Sequence, residues 1–456
     1  MASTYLTSGN LSSAGNQKKW TISFWVKRAK LGVTQGILDY SVNSTNYYNF
    51  TFKSTDGLTM FNNDGGTVSY ELEPSMKFRD TSGWYHIVHQ YDSEQATESN
   101  RAKLWVNGVQ QSSWTNENYP SQGANTKIPN SGYPINIGRQ YRANTNVQYF
   151  DGSLSHFHFC DGYAYSASDF GQTDANGVWT IKTSPSVTYG TNGFFILKDG
   201  NSVTDQSGNS NNFTVGGGTL TNTEDNPSNV FATWNPLYRT NATSFAYGNT
   251  ESQSPSTGGF AGISTLGASS GKYYAEFKLQ AASTSYEACI AVMVGSSISG
   301  NDLPSGYPEY TVGSYGIRQG DASSGNAFWT TEAGGRTSGA HHGGFSIGDT
   351  IGIALDIDNN RVYFSKNGQW NNSGSWNSAT PSTYLTLIST YGDGQYLFVS
   401  GDSSGGNTAK WSANFGNGYQ QTTAVASAGT NASGIGIFEY DVPTGYTALS
   451  TKGLNL

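Results

Sequence analysis

NRAKLWVNG (residues 100–108) and NRVYFSKNG (residues 360–368) decide how this chain folds. In each, an Asn-Arg pair stands seven residues ahead of an Asn-Gly pair. Asn-Gly favours the two-residue type I′ turn, because both central residues must accept φ > 0. Between the pairs lie β-formers that alternate faces: Ala102, Leu104 and Val106 in the first copy, Val362 and Phe364 in the second. Two β-hairpins are predicted, each set in a stretch that reads as a β-sandwich.

Outward from the first hairpin, WTISFWV (20–26) alternates Trp20, Ile22, Phe24 and Val26 against Thr21, Ser23 and Trp25. That predicts a half-buried strand whose outer face carries a Trp. GWYHIVHQYDS (83–93), YPINIGRQ (133–140), YFDGSLSHFHFCDGYAYS (149–166) and YGTNGFF (189–195) supply further strands, and SASDFGQTDANGVW (166–179) a short helical turn. Outward from the second, Ile351, Ile353, Leu355 and Ile357 form a buried stripe, preceded by GKYYAEFKL (271–279) and a loop-rich stretch over 295–345. Residues 215–270 are rich in Gly, Ser, Thr and Asn and mark the junction. A prior of about 150 residues per domain, stretched for sandwiches, accommodates two domains, 1–226 and 227–456 with an N-terminal connecting segment. The fold class is all-β: two tandem antiparallel β-sandwiches of jelly-roll type.

Charged residues make up only 12%, against a usual value of about 25%. Aromatics reach 14%, and there are 57 glycines, so the surface is built from Ser, Thr, Asn, Gly and Tyr. A net charge of −8 argues against a nucleic-acid partner. No apolar run approaches the roughly 18 residues of a membrane span, and MASTYLTSGNLSS carries no secretory signal pattern. With only Cys160 and Cys289, a disulfide scaffold is excluded, although one disulfide is not.

These residues carry a resemblance. LDIDNNRVYFSKNGQW (355–370), with GKYYAEFKL upstream, resembles a SPRY domain. WTISFWVK, GWYHIVHQYD, NRAKLWVNGV and NIGR resemble LamG or concanavalin-A-like modules. HFCDGYAYSASDFGQTDANGVW, the DQSGNSNNFT segment (205–214), Asn235-Pro236-Leu237 and the closing FEYDVPTGYTALSTKGL (438–454) are similar to structural proteins of marine and cyanobacterial tailed phages. The resemblance implies a virion component made in the host cytoplasm: a tail fibre or surface appendage that recognises host-surface glycan. The alternative is a decoration or adaptor protein bound to other virion proteins. A homo-oligomer is implied, and the absence of heptads excludes a coiled coil as its basis.

Three constellations bear on chemistry. Polysaccharide hydrolases of this fold need a carboxylate pair about 5–5.5 Å apart for retention. Glu71-x-Glu73, Asp356-x-Asp358 and Glu439-x-Asp441 lack the full pattern, so no catalytic residue is expected. His156, His158 and Cys160, spaced i, i+2, i+4, would share one strand face and could bind zinc. In the resembling proteins an apolar residue usually replaces Cys160, so the face is assigned to core and no metal is expected. Asn62-Asn63-Asp64 and Asp205…Asn209 offer oxygen ligands that leave calcium open as an unassigned cofactor.

Sugars are held by stacking their C–H faces on aromatic rings while Asn, Asp and Arg read the hydroxyls. Loop positions with that mix are Tyr47 and Tyr48, Arg139 with Tyr141 and Arg142, Tyr315 with Arg318, and Trp329 with Arg336. The GGG run at 216–218 is assigned to a surface loop.

Overall fold

The computed structural model describes residues 3–142, 145–198, 202–238, 243–283, 287–297, 307–320, 327–332, 335–341, 343–388, 394–402 and 407–456. The chain divides into two compact units, Met1–Asn222 and Thr223–Leu456. Each is a β-sandwich of two facing, mainly antiparallel sheets.

In the first unit, one sheet runs in spatial order Trp114–Asn118, Thr67–Pro74, Leu58–Asp64, Asn46–Phe52, Gln35–Asn43, Ile135–Ile137, Tyr5–Ser8 and Phe213–Gly217. The facing sheet runs Phe194–Ile196, Gly152–Asp161, Lys19–Arg28, Tyr85–Asp92, Ala102–Val106 and Val109–Gln110. Trp20, Ile22, Phe24 and Val26 point into the core against Tyr48, Phe50, Met60 and Leu72. The other face of that strand is also buried, contrary to the half-buried expectation. Residues 163–189 fold back over it, and Trp25 stacks on His86 with centroids 4.7 Å apart. The helical turn Ala167–Phe170 belongs to this cover, closed by a Ser166–Asp169 capping box.

In the second unit the larger sheet is ordered Ser244–Ala246, Glu251–Gln253, Ala409–Asn414, Lys272–Ala282, Thr350–Asp356, Arg361–Lys366, Gln369–Asn372 and Ser375–Ser378. Tyr384–Thr386 pairs with Arg361–Lys366, and Thr447–Ala448 runs parallel to Lys272–Ala282. The smaller sheet is ordered Gly259–Ile263, Tyr396–Asp402, Ala288–Val294, Ser314–Arg318, Ala327–Glu332 and Gly335–His341. The 295–345 stretch thus holds three strands where loops were expected. They are short and separated by polar segments, which hides their alternation. Trp234 lies in the core, edge-on to Phe415 at 5.2 Å.

The two hairpins close identically. Asn107 and Gly108 have φ of 47° and 81°, Asn367 and Gly368 of 48° and 79°. Each Asn also accepts from the strand before it: His86 N to Asn107 Oδ1 at 2.7 Å, and Thr350 N to Asn367 Oδ1 at 2.8 Å. Each turn glycine lies under an aromatic ring of the segment covering that sheet. A Cβ on Gly108 would stand 2.5 Å from Trp179, and one on Gly368 2.6 Å from Tyr440.

The cover in the second unit is the closing motif. Phe438, Val442, Tyr446 and Ala448 pack on Tyr274, Ala354, Tyr363 and Trp370. Beneath them the buried Glu276 accepts hydrogen bonds from the amides of Glu439 and Tyr440 at 2.8 Å and from Asn414 Nδ2 at 3.1 Å.

Candidate functional site

On the outer face of the first unit's larger sheet, Asn136, Asp39 and Asn49 lie side by side on three neighbouring strands. All are buried, because the strand Gln140–Arg142 crosses over them. Gly36 permits the crossing: a Cβ there would meet the Arg139 carbonyl carbon at 2.5 Å. Asp39 accepts from Ser41 Oγ at 2.8 Å and from Asn49 Nδ2.

Arg139 is anchored to this layer, donating from Nη2 to Asn136 Oδ1 at 2.8 Å. Its guanidinium lies 3.5 Å from the Tyr5 ring centroid and 5.2 Å from that of Tyr141. Tyr149 extends the group, with its ring 6.2 Å from Tyr5. Burial pulls the Arg139 pKa below its ordinary value, opposed by Tyr5, Tyr149 and Asp39. Tyr5, Tyr141 and Tyr149 remain half-buried, each with part of its surface outward. A row of half-exposed phenols around a fixed cation can stack on apolar C–H faces and donate hydroxyls; the buried Asp39 is not placed to attack a substrate.

Of the residues expected in binding loops, Arg139 and Tyr141 are the pair brought together on this platform. The Arg142 side chain lies outside the described residues. Tyr47 and Tyr48 occupy a strand, not a loop, and point to opposite faces. Tyr48 is in the core edge-on to Trp20 at 5.3 Å, and its burial raises its phenol pKa. Tyr47 is nearly buried against Phe61. Tyr315 is also a core strand residue, its hydroxyl accepting from Ile388 N at 3.0 Å. Trp329 is buried with Phe260, Cys289, Met293 and Val399 on the outer face of the smaller sheet. Alternation turns Tyr48 and Tyr315 into the cores, and Trp329 is buried within its outer-face cluster, so each ring spends its area on packing. Arg318 and Arg336 share the buried Glu309, pairing with its Oε1 at 3.8 Å and its Oε2 at 2.7 Å, and Arg336 lies 5.5 Å over the exposed Tyr310.

Tyr5 and Tyr149 were not singled out from sequence. Each is isolated in its own segment; sheet pairing brings Tyr5 beside Arg139, and Tyr149 reaches the group from the coil ahead of Gly152–Asp161. The glycines at 216–217 belong to an edge strand instead of a loop. Their lack of side chains leaves room for Tyr5, whose ring would stand 2.2 Å from a Cβ on Gly216.

The His-Cys group does not share one register. His156 has φ of 47° in a bulge between Ser155 and His158, which breaks the two-residue phase. His158 Nδ1 is 3.0 Å from the Tyr189 hydroxyl, and Cys160 packs with Val88, Trp105 and Phe170. Burial lowers the His158 pKa well below its usual value and raises that of the Cys160 thiol. His86 is pulled down to about 3 by burial, its Nδ1 accepting from Trp179 Nε1 at 3.0 Å. Cys160 and Cys289 are both free thiols. Among the described residues no cluster of three His, Cys, Asp or Glu is arranged for a metal.

The calcium candidates are filled by protein donors. Asp205 Oδ1 accepts from Phe195 N at 2.8 Å and Ser207 N at 2.9 Å. Its Oδ2 accepts from Ser207 Oγ at 2.8 Å and Asn211 N at 2.9 Å. Asp64 pairs with Lys127 at 2.7 Å, and Asn62 Oδ1 accepts from Lys127 N. Thermal melting in excess EDTA is therefore expected to match that in calcium; a fall of several degrees in EDTA would show that a cation holds the first unit.

The strand order defines two β-sandwiches, one in each unit, and the first has a lectin-like fold. Residues 1–169 match the sequence model of the concanavalin A-like lectin/glucanases superfamily. No curated protein matches the chain. Among solved structures, domains LG4–5 of the mouse laminin α1 chain are similar at 10% identity and TM-score 0.28, with 90% of this chain and 86% of that one covered. The SPRY domain of human HERC1 is similar at 16% identity and TM-score 0.26, covering 36% of this chain and 86% of that one. The CBM40 of the Ruminococcus gnavus IT-sialidase is similar at 17% identity and TM-score 0.26, covering 35% and 92%.

Proposed function

We propose that this chain is a structural protein displayed on a tailed-phage virion, whose first sandwich holds host-surface glycan on the Tyr5, Tyr141 and Tyr149 platform. The observation that carries the glycan reading is the guanidinium of Arg139, locked against two tyrosine rings that keep an outward surface. The virion role is supported by the likeness of residues 158–179, 205–214 and 438–454 to tailed-phage structural proteins. The chain acts by binding, as a homo-oligomer attached to other virion proteins, with no catalytic step and no resident cofactor. A released-sugar assay on host capsule tests the absence of catalysis.

Tyr141→Ala is expected to weaken glycan binding roughly tenfold, as loss of an aromatic anchor does, without lowering the melting temperature. A glycan array on wild type and variant measures this. Absence of any glycan signal, together with saturable binding of the protein to bare particles, would reject the adhesin. That second result is the decoration reading, favoured by one observation: Phe213–Gly217 is a sheet edge with Val215 exposed, open to pairing by a neighbour. Electron microscopy of virions carrying the labelled protein locates it on the particle.

A further inference from the structure

The repeated hairpin holds its two arginines differently. Arg101 is spent on the fold: Nε, Nη1 and Nη2 donate to the carbonyls of Gln95, Pro120 and Ala96 at 2.9, 3.0 and 2.8 Å. Arg361, at the same place in the motif, makes one long contact, Nη1 to the Tyr363 hydroxyl at 3.4 Å. Its cross-strand neighbour Asp356 is engaged elsewhere, with Lys272 Nζ at 3.0 Å and Asn359 Nδ2 at 2.9 and 3.1 Å. Among the described residues no carboxylate reaches ion-pair distance of Arg361.

The guanidinium is nevertheless fixed in place. It lies 4.4 Å over the Tyr384 ring, which stands edge-on to Tyr363 with centroids 5.5 Å apart. Tyr384 is 41% exposed, and Tyr363 is seated in the cluster under the closing motif. A guanidinium held against an exposed ring, with no carboxylate among the described residues at ion-pair distance, keeps its fork of donors available and is well suited to a planar anion.

We propose that Arg361, Tyr363 and Tyr384 form a second binding site, on the outer face of the second unit's larger sheet, for a carboxylate-bearing sugar. The Arg361 fork takes the carboxylate, and Tyr384 takes the C–H face of the ring. One available cation matches a singly charged carboxylate better than a phosphate dianion, because Lys272 is already paired with Asp356. The exposed ring favours a pyranose over an acidic peptide side chain, which has no comparable face to stack. The site is separate from the Arg139 platform, so either can fail alone.

Titration calorimetry on the full chain tests it with a uronate disaccharide, sialyllactose, neutral lactose and an aspartate-rich peptide. Wild type is expected to bind an acidic sugar about tenfold tighter than lactose, the worth of one charge-assisted hydrogen-bond pair. Preference for the uronate or for the sialoside identifies the source of the carboxylate, and either supports the site. Arg361→Gln should erase the difference between acidic and neutral sugar, Arg361→Lys should reduce it, and Tyr384→Ala should weaken binding of the acidic sugar. An acid-to-neutral ratio unchanged in Arg361→Gln, or binding of the peptide alone, overturns the proposal. Loss of neutral-glycan binding in Tyr141→Ala with no effect of Arg361→Gln sinks this site and leaves the first platform standing. Silence toward every sugar removes both.

Discussion

Glu276→Ala is expected to destabilise the second unit by roughly 3–5 kcal/mol, the cost of leaving the amides of Glu439 and Tyr440 without their acceptor. The carboxylate is wholly buried and ties the amides of Glu439 and Tyr440, so its loss also frees the closing motif from the sheet. Hydrogen exchange on the full chain should show Phe438–Ala448 opening first. Unchanged protection of those amides would contradict the pinning role. The carboxyl also sets a pH dependence. Burial raises its pKa from 4.5 to about 7, outweighing the amide bonds that favour the ionised form. Between those values the folded state holds a proton that the unfolded state releases. Stability from this group is therefore complete below about pH 4.5 and declines as pH rises through 7. From pH 8 to pH 5 the second unit should gain roughly 2–3 kcal/mol from Glu276, at about 1.4 kcal/mol per pKa unit.

The first unit carries the opposite sign. Burial holds the imidazoles of His86 and His89 neutral, lowering their pKa from 6.5 to about 3 and about 4. Here the unfolded chain gains protons first, so stability is lost as pH falls below 6.5, by roughly 2 kcal/mol per histidine at pH 5. Calorimetry at pH 5 and pH 8 should move the two transitions in opposite directions. A parallel shift of both would show that other groups dominate.

Trp20→Ala is the second large effect. Trp20 has no exposed surface, stacks on Tyr91 at 5.1 Å and 8°, and donates from Nε1 to Thr126 Oγ1 at 2.9 Å. Truncation removes the central ring of the first core and leaves the Thr126 hydroxyl with one partner fewer. The expected loss is about 3–5 kcal/mol, measured by denaturant unfolding followed at the first unit's amides. A loss under about 1 kcal/mol would mean that the core refills the cavity.

Much of the architecture was legible in short-range pattern. Trp20 to Val26 and Ile351 to Leu355 alternate with period two, and Asn-Gly fixes both hairpins, because sheet faces and φ > 0 turns are written in neighbouring residues. Burial on the second face of each sheet was not legible. Trp25, Cys160 and Tyr363 stand on outward positions and become buried only when residues 163–189 and 438–448 fold back over the sheets. Tyr48, Tyr315 and Trp329 have a binding-loop composition, yet they stand in strands, where the first two enter the cores and Trp329 is buried in a cluster on the outer face of its sheet.

The sequence by itself determined that this protein is all-β, arranged as tandem sandwiches, with an Asn-Arg…Asn-Gly hairpin in each. Those features follow from periodicity and turn chemistry, which act over a few residues. Only the tertiary structure decided which arginines and tyrosines can meet a ligand. Arg101 and Arg361 are indistinguishable in their motif, and what separates them is whether the carbonyls of a nearby loop fold back to take their donors, as those of Gln95, Ala96 and Pro120 do for Arg101.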